Sequence, residues 1–226
     1  LRINSAKDDA AGQGIATRIT AQIQGLEMAS RNASDAQAMI DTAEAAHQEV
    51  HAMLLRMREI AVQASNGTLR AADRTALNEE IGALEKEIKN ISDNTTFAGL
   101  QINASTQTVF QIGRSSSNTL TVIFKDFDTS AISADVGMTT AANARTALAT
   151  IDAAISTIST RRGELGAFSN RLSSTIANLD NIAVNLASAR GRIQDTDFAQ
   201  ETSNLAKSQI MQQAATAMLA QANASK

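Results

Sequence analysis

The sequence predicts a mainly α protein: a long antiparallel helical bundle, a coiled-coil-like rod, carrying a small β-hairpin region. Three observations predict it. Apolar residues recur every three or four positions over very long stretches. Proline, which removes a helix donor and clashes with the preceding turn, is absent from all 226 residues. Alternation with a period of two is confined to one short stretch after residue 100.

The first helical run goes from about Asp8 to Gln63. Its stripe includes Ile15, Ile19, Ile23, Leu26, Ala33, Ile40, Ala43, Val50, Leu54, Met57 and Ala61. A helix of that length extends roughly 80 Å at ~1.5 Å per residue. Ser65-Asn66-Gly67-Thr68 reads as a stop and turn, with Asn and Gly suited to left-handed backbone angles. A second helix with Leu77, Ile81, Leu84, Ile88 and Ile91 then folds back antiparallel, because the connection is short.

Between Asn94 and Ala142 the period changes. Thr108–Ile112 and Leu120–Phe124 alternate around Gly113-Arg114-Ser115-Ser116-Ser117-Asn118, which predicts a β-hairpin. Phe97, Phe110, Phe124 and Phe127, out of six phenylalanines in all, fall here. The longest seam follows, from Leu148 through Ile151, Ile155, Ile158, Leu165, Leu172, Ile176, Leu179 and Leu186 to Ile193, with Arg162, Ser169 and Arg190 as polar exceptions. Gly163 and Gly166 mark an expected local weakness in it. The expected divisions are residues 1–103 (N-terminal half of the rod), 104–142 (hairpin and short variable region), 143–193 (long C-terminal helix) and 194–226 (a terminal helical segment).

Composition excludes several function classes. There is no Cys, hence no disulfide framework, thiolate zinc site or thiol nucleophile. A formal charge of −3 with 3% aromatic residues argues against nucleic-acid binding. No apolar stretch approaches the ~20 residues of a membrane span.

Few constellations offer chemistry. His47 and His51, the only histidines, lie four apart with Glu44 nearby, as zinc ligands would. His47-Gln48-Glu49-Val50-His51 misses the metalloprotease motif because its Glu stands one place too late to activate a metal-bound water. A histidine pair on a solvated face is the preferred reading. Asp195 and Asp197 resemble a metal-binding pair, but Asp197 followed by Gln200 reads better as a helix N-cap. Lys7-Asp8-Asp9 reads likewise, with Asp8 as a cap in the acidic first turn of the first helix. Gly12-Gln13-Gly14 lacks the preceding strand of a phosphate loop. Neither catalytic, metal nor cofactor residues are assigned, and Ser115, Ser116 and Ser117 form an exposed candidate loop for glycosylation.

Leu1-Arg2-Ile3-Asn4-Ser5-Ala6-Lys7-Asp8-Asp9-Ala10-Ala11-Gly12 closely resembles the N-terminal signature of bacterial flagellins. Further blocks follow in that family's order: Arg56-Met57-Arg58-Glu59-Ile60-Ala61-Val62-Gln63, Asn94-Thr95-Thr96-Phe97-Ala98-Gly99, Arg192-Ile193-Gln194-Asp195-Thr196-Asp197-Phe198-Ala199, Gln209-Ile210-Met211-Gln212-Gln213-Ala214, and Ala217-Met218-Leu219-Ala220-Gln221-Ala222-Asn223. The resemblance implies the flagellin core fold, with residues 194–226 as the helix of the filament's inner tube and little or no outer domain. It also implies secretion through the flagellar export apparatus, an extracellular filament made of copies of the chain, and export-chaperone and cap proteins as partners.

In the same terms, the chain resembles a flagellin lacking the segment before Leu1 and the extreme C-terminus. The expectation is that the chain as it stands does not form normal filaments. The family's contact patch for an innate Toll-like receptor falls on Arg56 and Ile60 of the first helix and Glu80 of the second. Leu55 stands where receptor-binding relatives usually carry Gln. Alternatives are a hook–filament junction protein, or a surface homologue that binds polysaccharide or a host receptor.

Overall fold

The computed structural model describes residues 2–102, 105–125 and 137–224. Phe127 and the rest of residues 126–136 lie outside the described residues. Among the described residues, four helices and two hairpins follow in order: α1 (Ala10–Ala64), α2 (Ala71–Asn94), β1 (Thr96–Phe97), β2 (Leu100–Gln101), β3 (Thr106–Gln111), β4 (Thr119–Phe124), α3 (Ala141–Gln194) and α4 (Phe198–Ala224). No helix among the described residues is long and apolar enough to cross a membrane. The chain forms two compact units, one of Leu1–Gln24 with Ile182–Lys226, the other of Gly25–Asn181.

The larger unit holds two cores built on the same pair of helices. In the first, Val50, Leu54, Met57, Ile60, Ala61 and Ala64 of α1 meet Ile81 and Ile88 of α2 and Ala144, Ala147, Ile151 and Ile158 of α3. In the second, the β3–β4 hairpin takes the place of α2. There Leu120, Val122 and Phe124 pack with Ile102 against Ala33, Ala36, Met39, Ile40 and Ala43 of α1 and Leu165 and Leu172 of α3. The change in α1 from Leu, Val and Ile to a run of alanines fits this exchange, since small side chains let a sheet lie close to a helix.

α3 supplies buried residues at heptad spacing, Ala144, Ile151, Ile158, Leu165, Leu172 and Leu179, with Ala147 added in the first heptad. From Ile151 onward these residues belong to the predicted seam, and fully burying each of its Ile and Leu side chains contributes about 1.5–3 kcal/mol. Cross-helix polar contacts fix its direction against α1. Arg58 Nε meets Asp152 at 2.6 Å, Arg162 Nε meets Glu44 at 2.7 Å, and Ser30 Oγ donates to Asp180 at 3.0 Å. Each step forward on α1 is thus a step back on α3, an antiparallel pair. The helix runs unbroken through Gly163 and Gly166, both exposed with open space around them.

The α1–α2 connection is made differently from the prediction. Gly99 is the only described glycine with a left-handed φ, and neither Asn66 nor Gly67 adopts one. The turn is held instead by a side chain. Arg74, 8% exposed, donates from Nε to the Ala64 carbonyl (2.9 Å) and from Nη2 to the Asn66 carbonyl (2.8 Å). It satisfies orphan acceptors that the end of α1 would otherwise leave bare. Asp73 in turn accepts from the Arg70 N–H at 3.0 Å, tying the start of α2.

The main hairpin pairs Thr106 with Phe124 through Gln111 with Thr119. Its β4 face alternates as predicted, Leu120, Val122 and Phe124 inward. Asn32 of α1 anchors it by donating to the Gln111 carbonyl at 3.0 Å. The β1–β2 hairpin is new. Its turn places Ala98 at φ 50° and Gly99 at φ 82°, the two positive angles that a tight two-residue turn of matching twist requires.

In the smaller unit the N-terminal segment folds onto helix. Ile3 is buried, and the Arg2 N–H donates to the Gln194 carbonyl at 2.6 Å. Gly12 permits this approach, because a Cβ there would stand 2.7 Å from Ile3 Cδ1. Ile15 departs from the predicted stripe, being 40% exposed.

Candidate functional site

Two surfaces bear on function. The first lies where α1 and α2 run side by side. Arg56 donates through Nε and Nη2 to Glu80 Oε1 (2.9 and 2.8 Å) and through Nη1 to Glu59 Oε2 (3.1 Å). The guanidinium therefore bridges two helices and carries two carboxylates, and its pKa rises above the usual value because of the Glu80 bond first and the Glu59 bond second. All three side chains are solvent-exposed, so the cluster shapes a surface more than it stabilises the fold. The structure thus brings Arg56 and Glu80 together and adds Glu59, which the sequence did not single out. It removes Ile60: that side chain is 1% exposed and packs in the core, so it offers no apolar anchor to a partner. The signal was available, since Met57, Ile60 and Ala64 continue one stripe at spacings of three and four.

The second surface is α4. Every described side chain on it is exposed, including Phe198 (81%), Ile210, Met211, Met218 and Leu219. At about 100° per residue, Phe198, Leu205 and Leu219 share one stripe, Met211 and Met218 lie roughly 120° away, and Ile210 falls outside both. The helix is apolar on several sides, a pattern that belongs to helices enclosed by neighbours.

The capping assignments divide. Asp197 Oδ1 accepts from the Ala199 and Gln200 N–H groups at 3.0 and 3.3 Å, an N-cap for α4 as predicted. Asp8 is not the cap of α1. Its Oδ2 faces backward and accepts from the N–H groups of Asn4 (3.1 Å) and Ser5 (2.8 Å) and from the Ser5 hydroxyl. The Ser5 backbone bond, then the Asn4 one, hold its pKa below the ordinary carboxylate value. The cap is Asp9, whose Oδ1 accepts from the Gly12 N–H at 2.9 Å.

The histidine pair also needs correcting. His47 is 3% exposed rather than solvated, and it lines a small cleft with Phe124 of β4, Lys125 just after that strand, and Arg161, Leu165 and Phe168 of α3. Burial first, then the charges of Arg161 and Arg162, lower its pKa from 6.5 to about 4. Glu44 is bonded to Arg162 instead of facing a metal. Among the described residues no group of three or more His, Cys, Asp or Glu side chains stands ready to hold a metal ion. Gly12, Gln13 and Gly14 lie inside α1, and Ser115–Ser117 are exposed in the β3–β4 loop.

Comparison with known proteins agrees with this arrangement. Residues 1–108 match the sequence profile of the bacterial flagellin N-terminal helical region, and residues 148–226 that of the C-terminal helical region. The flagellin of Halalkalibacterium halodurans is 44% identical over 99% of this chain and 84% of its own length. That of Bacillus subtilis is 40% identical over 99% and 86%. The crystal structure of Bacillus cereus flagellin superposes with a TM-score of 0.61 at 31% identity, over 71% of this chain and 94% of that one. A putative flagellar hook-associated protein from Vibrio parahaemolyticus shares the fold, with a TM-score of 0.75 at 14% identity over 83% of this chain and 100% of its own. The interlocked helices, the hairpin between them and the matched ends agree: this chain belongs to the bacterial flagellin family, structural subunits of the flagellar filament and not enzymes.

Proposed function

We propose that α4 is the principal assembly surface of this filament subunit, and that the exposed Arg56–Glu80 pair is its contact for an innate Toll-like receptor. The observation that carries the assembly reading is the distribution of apolar residues on α4. A single partner helix covers one stripe; Phe198, Leu205 and Leu219 on one side with Met211 and Met218 on another call for neighbours on at least two sides. A helical polymer of identical subunits supplies them. Secretion, an export chaperone and a cap protein go with this role. The test is to express the gene encoding this chain in a strain without its own flagellin, with Leu205→Ser and Met218→Ser singly and together. The expectation is shortened or missing filaments and lost swimming with the secreted protein still folded. Normal filaments from the double variant would refute the assignment.

The receptor reading rests on Arg56, which presents a charged, bidentate-capable group at an exposed two-helix surface. Arg56→Ala should abolish receptor signalling without altering the fold; unchanged signalling counts against it. A surface homologue that binds polysaccharide or a host receptor is favoured instead if deleting the gene leaves swimming intact while the isolated chain binds such a ligand.

A further inference from the structure

We infer that Asn66 is a site of spontaneous deamidation in the folded chain, and that its isoaspartate product loosens the α1–α2 turn. Asn66-Gly67 is the only place in the sequence where Asn precedes Gly. Asparagine is thermolabile, and a following residue without a side chain leaves its backbone nitrogen open to the preceding amide. Both residues are exposed, and nothing lies within 4 Å of where a Gly67 Cβ would stand.

The turn itself favours the reaction. The Thr68 N–H donates to Asn66 Oδ1 at 3.2 Å, which polarises the side-chain carbonyl and places a donor where negative charge develops during attack. The Gly67 nitrogen gives up its proton to hydroxide and bonds to Asn66 Cγ. The Cγ–Nδ2 bond then breaks and ammonia leaves, closing a succinimide. Water adds to either ring carbonyl, giving aspartate or isoaspartate at position 66. The net exchange is one water in and one ammonia out, with nothing oxidised or reduced.

The two products differ in what they keep. Aspartate retains the side-chain acceptor for the Thr68 N–H and the backbone carbonyl that Arg74 Nη2 holds at 2.8 Å. Isoaspartate routes the chain through the side chain, adding a methylene to the backbone at the residue whose carbonyl also receives the Leu69 N–H. The former backbone carbonyl, which Arg74 Nη2 meets at 2.8 Å, becomes a free α-carboxylate outside the main chain, so the turn no longer has the backbone spacing that sets both acceptors against the buried Arg74.

The test incubates the full folded chain in mildly alkaline buffer and maps its peptides by mass spectrometry, with an isoaspartyl methyltransferase reporting the rearranged product. Conversion at position 66 is expected to run ahead of every other exposed Asn, such as Asn94 and Asn118, and to rise with hydroxide concentration. Gly67→Ala should slow it severalfold, and Asn66→Asp should keep the native unfolding midpoint where the isoaspartate fraction loses it. An intact amide at position 66 after Asn94 has converted, or conversion only when urea unfolds the chain, would overturn the proposal.

Discussion

α3 and α4 are both long C-terminal helices, yet they stand in opposite relations to the rest of the chain. α3 places residues at heptad spacing from Ala144 to Leu179 in the core, whereas α4 exposes every described side chain, six large apolar ones included. Apolar content alone does not separate them. What differs is arrangement: the α3 seam is a single stripe that α1, α2 and the hairpin cover in turn, while the α4 residues spread over several sides. One helix is completed by its own chain; the other, on the proposal above, is completed by neighbouring copies.

Core truncation tests that contrast most strongly. Leu172 is fully buried between α1 and the hairpin, so Leu172→Ala should lower unfolding free energy by about 2–5 kcal/mol. Leu205→Ala, the same chemical change on α4, should shift it by no more than ~0.5 kcal/mol. Urea denaturation of the two purified variants decides the matter. Equal losses would mean that α4 packs within the monomer, and the distinction would fall.

The parts legible in the sequence were those with a period. The α3 seam and the inward Leu120-Val122-Phe124 face could be read because geometry repeats every seven or every two residues. The β1–β2 hairpin escaped, since two-residue strands contain no repeat to detect. Asp8 and Asp9 were indistinguishable for a different reason: both carry the right carboxylate, and only the direction of the preceding chain decides which N–H groups each meets. Burial of His47 depends on residues far away in sequence, Phe124 and Arg161, and that of Arg74 on the carbonyls of Ala64 and Asn66, which meet it only because the chain reverses between α1 and α2. The receptor-site residues came through family resemblance, which says nothing about which way Ile60 points.

Acid should expose the same asymmetry. His47 lines one small cleft with Lys125, Arg161 and Glu164, and Glu44 and His51 stand one turn either side of it on α1, with Arg162 bonded to Glu44. Its folded pKa, about 4, lies below the 6.5 of the unfolded chain. At pH 7 the residue is mostly neutral in both states and shifts stability little. As pH falls from about 6.5 to 4 the unfolded chain takes up a proton that the folded one refuses, so stability drops by up to about 3 kcal/mol. Thermal unfolding across that window should show the decline in the parent and a flatter profile in His47→Leu. His51→Gln, one turn along and half-buried, should leave the decline in place. Identical slopes in all three chains would remove His47 from the account.

The smallest effect discriminates most finely, because it asks what holds each helix together. Asp197 and Asp9 perform the same task, accepting backbone N–H groups at the first turns of α4 and α1. Losing such a cap costs about 1 kcal/mol. α1 is packed along most of its length, so the cost in Asp9→Ala is subtracted from the cooperative unfolding of the whole and leaves native helicity unchanged. α4 has no packing to enforce its helix, and its 27 residues stand close to the length at which isolated helices are only marginally stable. Asp197→Ala should therefore reduce far-ultraviolet helical signal in the native baseline while leaving the main unfolding midpoint in place. A shifted midpoint with undiminished helicity would show that α4 already draws stability from tertiary contacts in the monomer, and assembly would then have less to add.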